Sequence, residues 1–138
     1  MNRPIILLAS ILLFGYFDSG NTIAQPETIM PQLEVYYTHS TNRCAGCRAI
    51  EDQTIETLQH DFKTELEQGI IMFKAINIDE VENESFVEKY EVWGSSLFII
   101  KNGSGEKFDL TRDGFAYART RPAIFREKLA SVIKSNMD

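Results

Sequence analysis

The chain has 138 residues, 43% of them hydrophobic and 25% charged, which suits one folded domain and is too short for two ordinary ones. Its net charge of −6, from 14 basic and 20 acidic residues, argues against a nucleic-acid partner. Two cysteines are few for a disulfide-stapled exported domain, and a domain of this size buries a sufficient core without staples.

The first segment stands apart from the rest. A basic start at Met1 to Arg3 leads into an uncharged, mostly apolar run from Ile5 to Phe17, and Thr22-Ile23-Ala24 puts small residues where a signal peptidase reads. We expect residues 1–24 to be a cleaved secretory signal, 25–32 a proline-bearing tether, and 33–138 the folded domain. Cleavage removes one base and one acid, Arg3 and Asp18, and so leaves the charge at −6. The apolar run falls short of the ~20 residues of a spanning helix. An integral membrane protein is therefore not expected; the alternative is an anchor that stays uncleaved. The expected location is the bacterial periplasm or the outside of the cell.

Within the domain, LEVYYT from Leu33 predicts a first strand. Apolar residues at Ile50, Ile55, Leu58, Phe62 and Leu66 then predict one helix beginning near Cys44 and stopping before Gly69. The nearly continuous apolar run from Ile70 to Ile78 reads as a strand buried on both faces. A shorter helix follows over 82–90, with Phe86, Val87 and Tyr90 inward. SLFIIK and EKFDLT, joined by Asn102-Gly103-Ser104-Gly105, predict a hairpin. A last helix opens near Arg121, with Pro122 in its first turn and Ile124, Phe125, Leu129, Val132 and Ile133 as its apolar stripe. The order β-α-β-α-β-β-α gives an α/β fold class: a four-stranded mixed sheet flanked by helices on both faces.

Both cysteines lie in RCAGCRAIE, between the first strand and the first helix. A cysteine at a helix start meets unpaired N–H groups and the positive end of the helix dipole, which favour thiolate. Cys44 is expected there as the attacking thiol, with Cys47 one turn on, on the same face, as the resolving thiol. Arg43 and Arg48 add positive charge, of modest effect if both point into water. Three other readings stay open: an inert disulfide, a two-thiolate site for a soft metal or metalloid, and a redox-inactive partner subunit. A zinc site is not expected, since the further histidines are His39 and His60, and His60 lies about four helical turns from Cys44.

A strand, a CxxC at a helix start, and the later SSLFIIKNG resemble the thioredoxin fold over Leu33 to Met137. More narrowly, YYTHSTNRCAGCRAIE, KAINIDEVEN and SLFII resemble small exported bacterial thioredoxin-like proteins labelled nitrophenyl compound nitroreductase subunit, ArsF family. The resemblance implies thiol-disulfide exchange with a protein dithiol or disulfide and with an electron donor or acceptor that the sequence does not name. It implies no cofactor beyond the redox-active disulfide and no metal. It also aligns Ser95 with the thioredoxin cis-proline, Ser96 with its threonine, and Thr38 with its buried acid. A trans bond is expected at Ser95. Trp93, Gly94, Ser95 and Ser96 become candidates for substrate docking, and His39 for proton transfer. No flavin or nicotinamide fingerprint is present, so nitroreduction is not assigned to this chain alone. The acidic run 79–84 reads as a solvated loop. Arg112, Arg119, Arg121 and Arg126 read as solvated surface. Asn83-Glu84-Ser85 and Asn102-Gly103-Ser104 match a glycosylation pattern that matters only in a eukaryote.

Overall fold

The computed structural model describes residues 30–137; the expected signal peptide and most of the expected tether lie outside the described residues. The fold is built around β1 (Leu33–His39), whose alternating side chains feed two separate cores. β1 pairs in parallel with β2 (Ile71–Asn77) and antiparallel with β3 (Ser96–Lys101), which in turn pairs antiparallel with β4 (Glu106–Asp109). The sheet order is β2-β1-β3-β4. With a CxxC helix packed on one face, this is a thioredoxin-like α/β fold.

On one face, Leu33, Val35 and Tyr37 of β1 and Leu97 and Ile99 of β3 pack against α1 (Ala45–Asp61) and α5 (Pro122–Asn136). On the other, Tyr36, Phe98 and Ile100 meet Phe86, Val87 and Tyr90 of α3 (Glu84–Tyr90), which follows a short 3-10 turn at Val81–Asn83. The Tyr36 and Phe86 rings meet edge to face at 4.8 Å between centroids, a geometry that adds to what burial alone contributes.

Four expectations need correction. The single first helix is two: α1 ends at Asp61, and α2 (Lys63–Glu67) starts beyond Phe62. Phe62 leaves the helical backbone, at φ −134° and ψ 27°, and its ring is fully buried in the core. Gly69, at φ +71°, then turns the chain in the left-handed region where glycine is favoured. β2 is not buried on both faces, because it is an edge strand and leaves Lys74 and Ala75 exposed. Ile124 is exposed rather than part of the α5 stripe, which runs through Phe125, Leu129 and Ile133.

The fourth correction is an additional helix, α4 (Thr111–Tyr117). Its sequence, TRDGFAY, has weak helix propensity and no clear apolar period, so tertiary contacts hold it. Leu110 N donates to Leu97 O at 2.8 Å, and Leu97 N donates to the Thr111 hydroxyl at 3.0 Å, which fastens the start of α4 to β3. Gly114 lets α4 close on α1. A Cβ there would stand 3.1 Å from both Cδ1 and Cγ1 of Ile50, a fully buried residue.

Overpacking costs roughly 1–3 kcal/mol, and alanine's helix propensity over glycine offsets about 1. Gly114→Ala should therefore lower stability by about 1 kcal/mol in urea unfolding. In an Ile50→Val background, which removes Cδ1, the cost of the same change should shrink. A gain in stability in the wild-type background would show that α4 does not rest on Ile50.

Candidate functional site

The junction between β1 and α1 carries both cysteines. Cys44 is the N-cap of α1, with extended backbone at φ −76° and ψ 164°, and its sulfur accepts the Cys47 N–H at 3.0 Å. The two are joined in a disulfide with Cα atoms 5.1 Å apart. Their exposure differs: Cys44 faces solvent, whereas Cys47 is 8% exposed. An N-cap sulfur that receives an N–H is where a thiolate would gain from the helix start, and it is the sulfur a partner can reach.

Beneath the turn, the buried Tyr37 hydroxyl donates to the Cys47 carbonyl at 2.6 Å. Strand β1 thereby fixes the first turn of α1 from below. Burial pushes the Tyr37 phenol up from its ordinary value near 10, a rise opposed by a Ser95 hydrogen bond and by the Arg43 charge.

Thr38 lies on the opposite face of β1. Its hydroxyl donates to the Gly94 carbonyl at 2.7 Å and accepts the Ser96 N–H at 3.0 Å. Thr38, which the resemblance aligns with a buried acid, therefore ties down the loop at Gly94 to Ser96. Every peptide bond among the described residues is trans, the one before Ser95 included. Gly94, Ser95 and Ser96 are thus brought to the cysteine end of the sheet. Trp93, beside them, is 81% exposed above a buried Val92.

Arg43 does not point into water. Its guanidinium pairs with Glu51 and with His39 Nε2, and the side chains of Arg43 and Glu51 are 24% and 16% exposed. Nδ1 of His39 lies 3.0 Å from the Ser40 carbonyl. Both contacts are satisfied by the neutral tautomer that donates from Nδ1 and accepts at Nε2. His39 is buried beside the Tyr37 ring, with Nε2 engaged by Arg43. Arg48 does face solvent, with Nη1 donating to the Arg43 carbonyl at 3.2 Å.

Other sequence candidates resolve into local structure. His60 pairs with Asp61 at the far end of α1, beside a recess of about 250 Å³ that does not include the cysteines. In the acidic run, Asp79 accepts the Thr41 N–H at 2.8 Å and so fastens the loop after β2 to the loop before Cys44. Arg126 pairs with Glu56, Arg121 stacks on Tyr117, and Arg112 and Arg119 are exposed. Among the described residues, no cluster of three or more His, Cys, Asp or Glu is arranged to hold a metal.

Sequence reasoning missed Tyr37, the pairing of Arg43 with Glu51, and Phe115. Phe115 lies on α4 and is 49% exposed, and its ring borders Gly46 between the two cysteines. Tyr37 had a legible signal, since it falls on the inward face of a strand ending at the CxxC. The other two depend on contacts between segments.

No family model matches the chain, and no curated protein matches it. Among solved structures, a malarial protein shares 16% identity over 70% of this chain and 96% of its own, with a TM-score of 0.45. Fasciola hepatica thioredoxin shares 22% over 67% of this chain and 82% of its own, at 0.41. A Thermus thermophilus thioredoxin shares 18% over 74% of each chain, also at 0.41. These likenesses are remote, and the fold assignment stands on strand order and direction. They lend no support to the narrower kinship with nitroreductase subunits.

Tyr37 generates a prediction with a definite sign. A phenol whose pKa is raised by folding contributes stability in full below the unfolded value near 10 and loses it as pH climbs above that value. Tyr36, raised mainly by burial and then by Glu34, acts in the same direction. Tyr37→Phe should cost about 1 kcal/mol at neutral pH by leaving the Cys47 carbonyl without its donor. It should also flatten the fall of stability above pH ~10. Parallel curves for variant and wild type would contradict this account of Tyr37.

Proposed function

We propose that this chain is an exported thiol-disulfide oxidoreductase, with Cys44 as the attacking and Cys47 as the resolving thiol. The observation that carries the reading is the asymmetry of the pair: an exposed sulfur that caps α1 and accepts an N–H, bonded to a sulfur that is buried. In the reduced state, the Cys44 thiolate attacks a partner disulfide, one partner sulfur leaves as thiolate and takes a proton, and a mixed disulfide forms. Cys47 then loses its proton, attacks the Cys44 sulfur and releases the second partner thiol. Two electrons pass from this chain to the partner; run backwards, the same steps oxidise a partner dithiol. An external donor or acceptor resets the pair.

Export is supported by the signal-like pattern of residues 1–24, and no described helix is long and apolar enough to cross a membrane. The soft-metal reading gains no specific support, since His39 is engaged by Arg43 and does not complete a site with the two sulfurs.

Replacing Cys47 with serine should leave the first step intact and block the second, so a mixed disulfide with the native partner accumulates. Cys44→Ser should trap nothing. The reverse pattern, read by non-reducing electrophoresis and intact mass, would exchange the two roles.

A further inference from the structure

Gly46 separates the reactive sulfur from an exposed aromatic ring. A Cβ built on it would lie 3.7 Å from the Cys44 sulfur and 3.8 and 3.9 Å from two carbons of the Phe115 ring. One methyl group would bridge sulfur and ring in ordinary van der Waals contact, so the glycine leaves an open notch between them. A single exposed aromatic residue needs no special explanation. Phe115 differs because α4, a helix of poor propensity, is held against α1 by the Gly114–Ile50 contact and delivers the ring to the reactive turn.

Two exposed arginines lie on the helices that flank the notch. Arg48 follows Cys44 by one helical turn, its N–H donating to the Cys44 carbonyl at 3.1 Å, and Arg112 precedes Phe115 by three residues on the same side of α4. Both are exposed, and among the described residues neither forms an ion pair, although the chain as a whole carries −6. An acidic protein thus carries two exposed arginines, outside ion pairs among the described residues, on the two helices that bear the cysteine turn and Phe115.

We propose that this notch selects the partner: it seats the residues flanking a cysteine of a partner polypeptide, with an aromatic or large apolar side chain on Phe115 and a carboxylate against Arg48 and Arg112. The inference rests on the thiol exchange proposed above, because that chemistry brings a partner sulfur to Cys44. The ring supplies contact area, while the exposed arginines orient and steer, an effect that salt screens.

The test uses reduced full-length protein and the symmetric disulfides of three capped tripeptides: phenylalanine-cysteine-glutamate, glycine-cysteine-glutamate and phenylalanine-cysteine-glutamine. Second-order rates of oxidation are read by acid quench and mass. The first peptide should react roughly tenfold faster than the second and about twofold to threefold faster than the third at low salt, the latter ratio fading at high salt. Phe115→Ala should bring the first ratio towards one and leave the glutamate preference. Arg48→Gln combined with Arg112→Gln should do the opposite. If Phe115→Ala does not fold, Gly46→Ala fills the notch at a helical position without strain and should remove the same preference. Equal rates in the wild type, or preferences that survive these substitutions, would overturn the notch. Failure to exchange with any of the three would overturn the oxidoreductase reading, and this proposal with it.

Discussion

A hydrogen bond from the Cys47 N–H to the Cys44 sulfur closes the first turn of α1, and the geometry of the site follows from it. The sulfur does the work of a capping oxygen, so the exposed sulfur is held by the helix it starts. That cap is itself fixed from below, since the Tyr37 hydroxyl holds the carbonyl of the same Cys47 residue. Tyr37 belongs to the central strand, flanked by β2 and β3, so the position of the sulfur is tied to the most deeply buried part of the sheet. The two sulfurs differ in exposure: Cys44 faces solvent, and Cys47 is buried.

The surroundings of the pair depart from the thioredoxin pattern in a consistent way. Thr38 brings no proton acceptor and uses its hydroxyl to hold Gly94 and Ser96. His39 is engaged at Nδ1 by the Ser40 carbonyl and at Nε2 by Arg43. With Glu51 engaged by the same arginine, the groups nearest the turn are paired with one another. In the proposed exchange, the proton of Cys47 would pass to water or to a group that the partner brings.

Much of the fold was legible because β1 and β3 alternate or run apolar between clear turn signals. The span of β3, the hairpin after it and the CxxC at a helix start all follow from local pattern. The break at Phe62 was hidden because its ring fits the helical period, and only the shape of the core pulls it off the helix axis. β2 looked like an interior strand because composition does not reveal which strand ends a sheet. α4 had no signature of its own: a glycine that permits contact with Ile50 and a threonine bonded to β3 are tertiary reasons for a helix. Arg43 and Glu51 are eight residues apart across a loop-to-helix boundary, so no helical spacing pointed to their pairing.

The central claim is that the Cys44–Cys47 pair is a working couple rather than an inert bridge, and its reduction potential tests that most directly. The full-length protein would be equilibrated in graded glutathione buffers, quenched, and its free thiols counted by mass. A capped, exposed attacking sulfur predicts a two-electron transition between roughly −270 and −120 mV, the range spanned by CxxC catalysts, with both thiols appearing together. A disulfide that stays oxidised below about −300 mV would mark a structural bridge and contradict the account.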